Sequence, residues 1–538
     1  MLPKAHAAFN LACAVLLAAS IVVLCPQVLN SDSAAAILLA GHVGQVGGWI
    51  DRDWAYVSDS LMLDGRVQVA MLGVALFRHQ VGAFVFLAAI GAVFALSATY
   101  MLARLLGATR NNAVTAGLAL LLGPSLIYLD IVVGLAVSIQ MGVVLCFLSA
   151  LVAYLFGRGG ALSLAAASAI LLVMTVSSPM KAIAYCAVPT IAACASVFAC
   201  SWVATRPDRA LRARVLALVL AVVFTAAGGV VLHRLLLAGL RMDTSYAKLS
   251  LALTPQHLLA NLKLFGELAL GFVGSRNAAV LRLLPAIVVP ALLVAVLAPI
   301  ATTRWRAFMT QRQGFVYCYA LLGGLEIVAY ILSYESIKPN YGIYYLLPPA
   351  CALLAVAAST ATAAAGRMRG FATKAALLAL LACGAANAAY LLAVPPAGYR
   401  GMSIKQRTTH SDQLQATAWL LDHDLRRGFA TYWEANTITL LSDGAIQATA
   451  IRTPAGGRMV RRMIWLTSRQ RAEYMPGDER WFILLPVRQR SAKLPATCLP
   501  PAAQATVAGS RIYIYDRPMP GCLQQPVRFV PQTRRTRS

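Results

Sequence analysis

Apolar runs, each about the length of a bilayer crossing, constrain this chain more than any other feature. They lie near residues 9–29, 82–104, 112–130, 131–156, 161–178, 182–203, 215–238, 278–300, 314–333, 343–364 and 375–394. A hydrocarbon core of about 30 Å takes roughly 20 residues of helix, so these runs predict about eleven spans. At that depth only helices and closed barrels satisfy their own backbone groups. The spacing therefore predicts an all-α polytopic membrane domain over residues 1–394. Composition agrees, with 12% charged residues against roughly 25% in soluble domains. The opening MLPKAHAA and the run after it have the layout of a signal peptide. The run is longer than a usual signal core, however, and reads as a retained signal anchor.

Orientation follows from cations in the short connectors. With the N-terminus in the cytoplasm, the cytoplasmic connectors hold Lys4, Arg104, Arg110, Arg158, Arg206, Arg209, Arg212, Arg214, Arg304, Arg306, Arg312, Arg367, Arg369 and Lys374, against one acid, Asp208. The short connectors opposite hold only Lys181 and Lys338. An odd number of spans then places the C-terminal segment outside, which in a bacterial inner membrane is the periplasm. Residues 395–525 are expected to form a small α/β extracytoplasmic domain, and 526–538 a disordered basic tail. Residues 414–427 and 436–444 read as helices. Segments 428–433, 446–451, 481–487 and 511–516 read as strands. Of 11 cysteines, nine sit in apolar runs. Cys498 and Cys522 lie in the polar tail, where an oxidising compartment would let them pair, a question the sequence leaves open. No metal-ligand spacing of Cys or His is present.

Carboxylates are scarce and unevenly placed. Of 20 acids, 11 precede residue 395, and five of these (Asp32, Asp51, Asp53, Asp59 and Asp64) fall in the first outer loop, residues 30–80. Residues 33–43 and 61–77 read as interfacial amphipathic helices. Ser31 or Asp32 is placed to cap the first of them. Asp51 and Asp53 read as solvated acids offset by Arg52, and His42 as a packed or water-facing side chain. Glu326, at span depth, reads as functional or paired.

Asn30-Ser31-Asp32-Ser33-Ala34 after the first run, Gly48-Trp49, Asp59-Ser60, SSPMK (177–181), YYLLPP (344–349) and GFATYWEANTITLLSDG (428–444) together resemble the GT-C glycosyltransferase superfamily. That group includes oligosaccharyltransferases, protein O-mannosyltransferases and lipid A aminoarabinose transferases. Two positions depart from its pattern: Pro179 has no preceding Asp, and Tyr344 stands where Arg is common. The resemblance implies transfer of a sugar from a polyprenyl-phosphate donor to an acceptor outside the membrane. It implies Asp32 as base for the acceptor hydroxyl. Asp59 or Asp64 would orient the acceptor or bind a divalent cation. Lys181, Arg276, Arg282, Lys338, Tyr341, Tyr344 and Tyr345 are the candidates to meet the departing phosphate. Lys181 and Lys338 also fit snorkelling anchors, and the tyrosines an aromatic belt.

From residue 395 onward, 21 Lys and Arg face nine acids, a net +12. That excess suits an anionic lipid or glycan acceptor, and equally a merely basic domain. An outer location disfavours nucleic acid as partner. A transporter or flippase of a lipid-linked substrate and a non-catalytic envelope assembly protein are the rival readings.

Overall fold

The computed structural model describes residues 3–57, 60–77, 79–123, 137–157, 159–202, 209–243, 254–272, 284–300, 308–333, 343–363, 368–393, 410–452, 460–477, 479–487 and 500–516. Among these, eight helices are long and apolar enough to cross a membrane: Pro3–Leu24, Gln80–Leu105, Val137–Leu155, Gly160–Ser177, Pro179–Ser201, Arg209–Leu237, Arg312–Leu332 and Met368–Ala393. The protein is thus an integral membrane protein of mainly helical structure. Three further apolar runs hold the shorter helices Arg110–Leu121, Leu284–Leu297 and Leu347–Ala363. The first of these stops just short of Gly123-Pro124, where the residue before proline is pushed out of helical geometry. The last opens on Pro348-Pro349, tolerated in a first turn whose N–H groups lack intrahelical partners.

The chain divides into two compact units. The first comprises Met1–Ile21, Ala89–His233 and Leu249–Ala393. Several of its buried polar groups pair with one another, as a low-dielectric interior favours. His6 Nε2 lies 2.7 Å from Thr115 Oγ1, and Thr115 donates to Asn10 Oδ1 at 3.0 Å. The Asn10 amide donates to the Asn111 carbonyl at 3.1 Å. Helices approach closely at glycine: a Cβ on Gly384 would stand 2.7 Å from the Leu122 carbonyl oxygen.

The second unit gathers Val22–Ala88, Arg234–Lys248 and Val394–Ser538. Its largest element is a six-stranded sheet of order β5-β4-β3-β7-β9-β8. The strands are β3 (Arg427–Thr431), β4 (Gln447–Arg452), β5 (Arg461–Arg462), β7 (Trp481–Pro486), β8 (Ala503–Val507) and β9 (Ser510–Tyr515). Pairs β3–β4 and β3–β7 are parallel, and the rest antiparallel. Alternation sends Ala430, Leu484 and Ile512 into a core with helices His410–Asp422 and Tyr432–Leu441. It sends Phe429, Ile483 and Tyr513 to the opposite face, with Trp481 and Tyr515 stacked at 4.4 Å. Gly428 is required within β3, because a Cβ there would meet the Phe482 carbonyl oxygen at 2.4 Å.

A second sheet, of order β2-β1-β6, joins three distant stretches: β1 (Trp54–Val57), β2 (Arg241–Asp243) and β6 (Thr467–Ser468). Strands this short carry no readable alternation. One expected strand is also shortened. The apolar stretch 428–433 reads as a strand throughout, yet the chain turns helical at Tyr432.

Candidate functional site

The Asp32 helix runs from Ser31 to Val46, starting directly after the chain leaves its first long apolar helix. Its N-cap is Asn30, neither Ser31 nor Asp32. The Asn30 Oδ1 accepts from the backbone N–H groups of Asp32 and Ser33, at 3.1 and 3.2 Å. This corrects the expectation for the cap. An Asn side chain one residue earlier reaches the second and third N–H groups with the usual cap geometry. Asp32 is therefore a first-turn residue and not the cap. Its negative charge is favoured there by the helix dipole.

The Tyr432 hydroxyl donates to Asp32 Oδ1 at 2.5 Å, the length of a charge-assisted O–H···O⁻ bond. Tyr432 opens the Tyr432–Leu441 helix, which packs on the Asp32 helix. One turn later the Asn436 amide donates to the Ser31 carbonyl at 3.5 Å. The Tyr432 ring is held edge-on by Trp433 and Trp465, with centroids 5.2 and 5.6 Å away. Further ties join the same two stretches. Asp443 accepts from the Gln80 backbone N–H at 3.0 Å, and its Oδ2 lies 3.0 Å from His79 Nδ1. The Arg469 backbone N–H donates to the Asp53 carbonyl at 2.6 Å, and its guanidinium lies 3.6 Å from the Asp53 carboxylate.

The remaining loop acids differ from one another. Asp64 is buried and accepts from Arg66 through both oxygens, at 3.0 and 2.9 Å. Asp51 is 2% exposed, which corrects the expectation of a solvated acid. Its Oδ1 accepts from the Asp53 N–H at 2.8 Å, and its own N–H donates to the Tyr56 hydroxyl at 3.0 Å. Burial pushes the Tyr56 phenol upward. His42 packs against Trp54 with ring centroids 5.6 Å apart and lies 3.7 Å from Asp51. Burial lowers its pKa, with the Asp51 charge opposing. Arg471, 3% exposed, lies over the Trp54 ring at 5.9 Å, and burial draws its guanidinium down to about 10.

Lys181 and Tyr345 belong to the first unit. Lys181 precedes a turn of π-helix, Ile183–Ala187, and Tyr185 in that turn lies 6.0 Å from the Tyr345 ring. Wide turns of this kind often occur at functional sites. Glu326 is half-buried on the helix Arg312–Leu332, and its Oε2 has no hydrogen-bond partner among the described residues. Asp59, Arg276, Arg282, Lys338, Tyr341, Cys498, Cys522 and the tail 526–538 lie outside the described residues, as does the Tyr344 side chain. Among the described residues, no group of three or more His, Cys, Asp or Glu side chains forms a metal site. Sequence reasoning singled out Asp32 but gave neither Asn30 as its helix cap nor Tyr432 as its hydrogen-bond partner. Asn before Ser-Asp-Ser was a readable cap signal. Nothing in the sequence signals a partner 400 residues away.

No family model and no curated protein matches the chain. Among solved structures it is similar to ArnT from Cupriavidus metallidurans bound to undecaprenyl phosphate, at 14% identity and TM-score 0.49, over 96% of this chain and 98% of that one. It is also similar to the Archaeoglobus fulgidus oligosaccharyltransferase in the apo form, at 13% identity and TM-score 0.48. There it covers 82% of this chain and spans 64% of that one's length. A third likeness is to the archaeal oligosaccharyltransferase AglB from the same organism, in complex with an inhibitory peptide and a dolichol-phosphate. Identity is 13% and the TM-score 0.47, over 90% of this chain and 69% of that one. Likenesses this distant assign no role to any residue of this chain.

Proposed function

We propose that the protein is a membrane glycosyltransferase moving a sugar from a polyprenyl-phosphate donor to an extracytoplasmic lipid or glycan acceptor. The reading rests on the sequence motifs and on one observation above all. Asp32, in the first turn of its helix, leaves the capping to Asn30 and is gripped instead by the Tyr432 hydroxyl at 2.5 Å. In the proposed reaction Asp32 takes the proton of the acceptor hydroxyl as that oxygen bonds to the anomeric carbon. The bond from that carbon to the phosphate oxygen breaks, and polyprenyl phosphate leaves with the electron pair. Lys181 and Tyr345, together with Arg276, Lys338, Tyr341 and Tyr344, are proposed to meet the departing charge. Asp64, in its bidentate pair with Arg66, fits an orienting role better than a cation site. Asp59 is kept as the alternative for a divalent ion. The connector charges support a bacterial inner-membrane protein with a cytoplasmic N-terminus and a periplasmic C-terminal domain.

Glu326, with a buried oxygen that has no partner among the described residues, favours a transporter as the second reading. Asp32→Asn separates the two. The amide keeps the side chain's size and removes the base, so transfer of labelled sugar in membranes should fall by about 10²-fold or more with protein abundance unchanged. Transfer at the wild-type rate would remove Asp32 from the chemistry. Loss of activity in Glu326→Gln alone would favour transport.

A further inference from the structure

A carboxylate in the first turn of a helix can rotate about two side-chain torsions, and a base is effective only when its lone pair is aimed. In this protein the aim is supplied from far along the chain. The Tyr432 ring is 6% exposed and is wedged between the edges of Trp433 and Trp465, so its hydroxyl direction is set by packing. That hydroxyl meets Asp32 Oδ1 at 2.5 Å. The backbone turns from β3 into a helix at this residue, and the buried Thr431–Glu434 hydrogen bond spans that turn.

We propose that Tyr432 is a positioning residue for Asp32, so that the C-terminal segment completes the reactive centre and is more than an appended binding module. The inference rests on the reading of Asp32 as the base. Tyr432 does not exchange protons with the substrate; it fixes one carboxylate oxygen and thereby the plane and direction of the other. A hydrogen bond to the charged form also favours that form, so losing the hydroxyl makes Asp32 easier to protonate. The other titratable groups on elements packed against the Asp32 helix are Glu434 on the Tyr432–Leu441 helix and Arg66, with its partner Asp64, at the start of Arg66–Leu76. His42 lies on the Asp32 helix itself.

The test compares full-length wild type, Tyr432→Phe and Asn436→Ala in proteoliposomes, following labelled-sugar release from its polyprenyl phosphate as a function of pH. Asn436→Ala removes another tie between the same two helices without touching Asp32. The expected result is an acid limb moved upward by about one pH unit in Tyr432→Phe, hence a rate about tenfold lower on that limb. KM for the donor and the limb in Asn436→Ala should stay as in wild type. An unchanged acid limb in an active Tyr432→Phe would overturn the positioning role alone, as would an equal shift in Asn436→Ala. Absence of transfer in wild type would overturn the parent reading and this one with it.

Discussion

Three consecutive residues divide two tasks. Asn30 satisfies the first N–H groups of the helix, Ser31 offers its carbonyl to Asn436, and Asp32 turns its carboxylate to Tyr432. The division makes the cap and the candidate base separable by mutation. Asn30→Ala should cost about 1 kcal/mol, seen as a lower midpoint in thermal unfolding of the detergent-solubilised protein. Asp32→Asn keeps that cap, and should lower the midpoint only through loss of the charged bond to Tyr432 and of the charge at the helix start. At this scale the sequence makes Asp32 a candidate because carboxylates are scarce and crowd one loop. The cap was misplaced by a residue, because Asn, Ser and Asp all favour that position and only the backbone geometry decides among them. The burial of Asp51 was not legible, since the sequence does not show that His42 and Tyr56 fold back onto it.

At the scale of elements, the helix His410–Asp422 covers one face of the six-stranded sheet, and His410 is buried at its start. Burial pulls the His410 pKa down to about 4, below its ordinary value near 6.5. In the interval between these values the unfolded chain binds the proton and the folded one does not. Folding stability therefore rises with pH across that interval, and is lost as pH falls from about 6.5 toward 4, at roughly 1.4 kcal/mol per unit. His410→Leu removes this titration, so wild type should lose more thermal stability than the variant between pH 7 and pH 4.5. Equal losses would show that the imidazole is not held neutral. Strands β3, β4, β7 and β9 were readable from their apolar and aromatic runs, whereas β8, five residues that include two Ala and a Gln, was missed because it carries little strand preference. The helix at Tyr432 hid behind the same residue types, because Tyr and Trp suit a strand and a buried first turn alike. The strands of two to four residues had too few positions to show a period.

For the molecule as a whole, the long apolar helices follow directly from sequence. Length and apolarity alone force that outcome in lipid. Which stretches gather into each compact unit does not follow, since that depends on pairings such as β1 with β2 and with β6. The orientation account has its own consequence. In a background with Cys498 and Cys522 replaced by Ser, Ala502→Cys at an exposed position beside β8 should react with a membrane-impermeant maleimide added to intact spheroplasts. Labelling only after lysis would put the C-terminal domain on the cytoplasmic side and remove Asp32 from any outer-face chemistry.

The most direct test of the account is release of free polyprenyl phosphate by the purified protein from a polyprenyl-phosphate sugar, measured with acceptor present. Wild type should release it and Asp32→Asn should not, at equal folding and equal donor binding. Release by both at the same rate, or by neither, would contradict the assignment of this protein as a transferase with its base at Asp32.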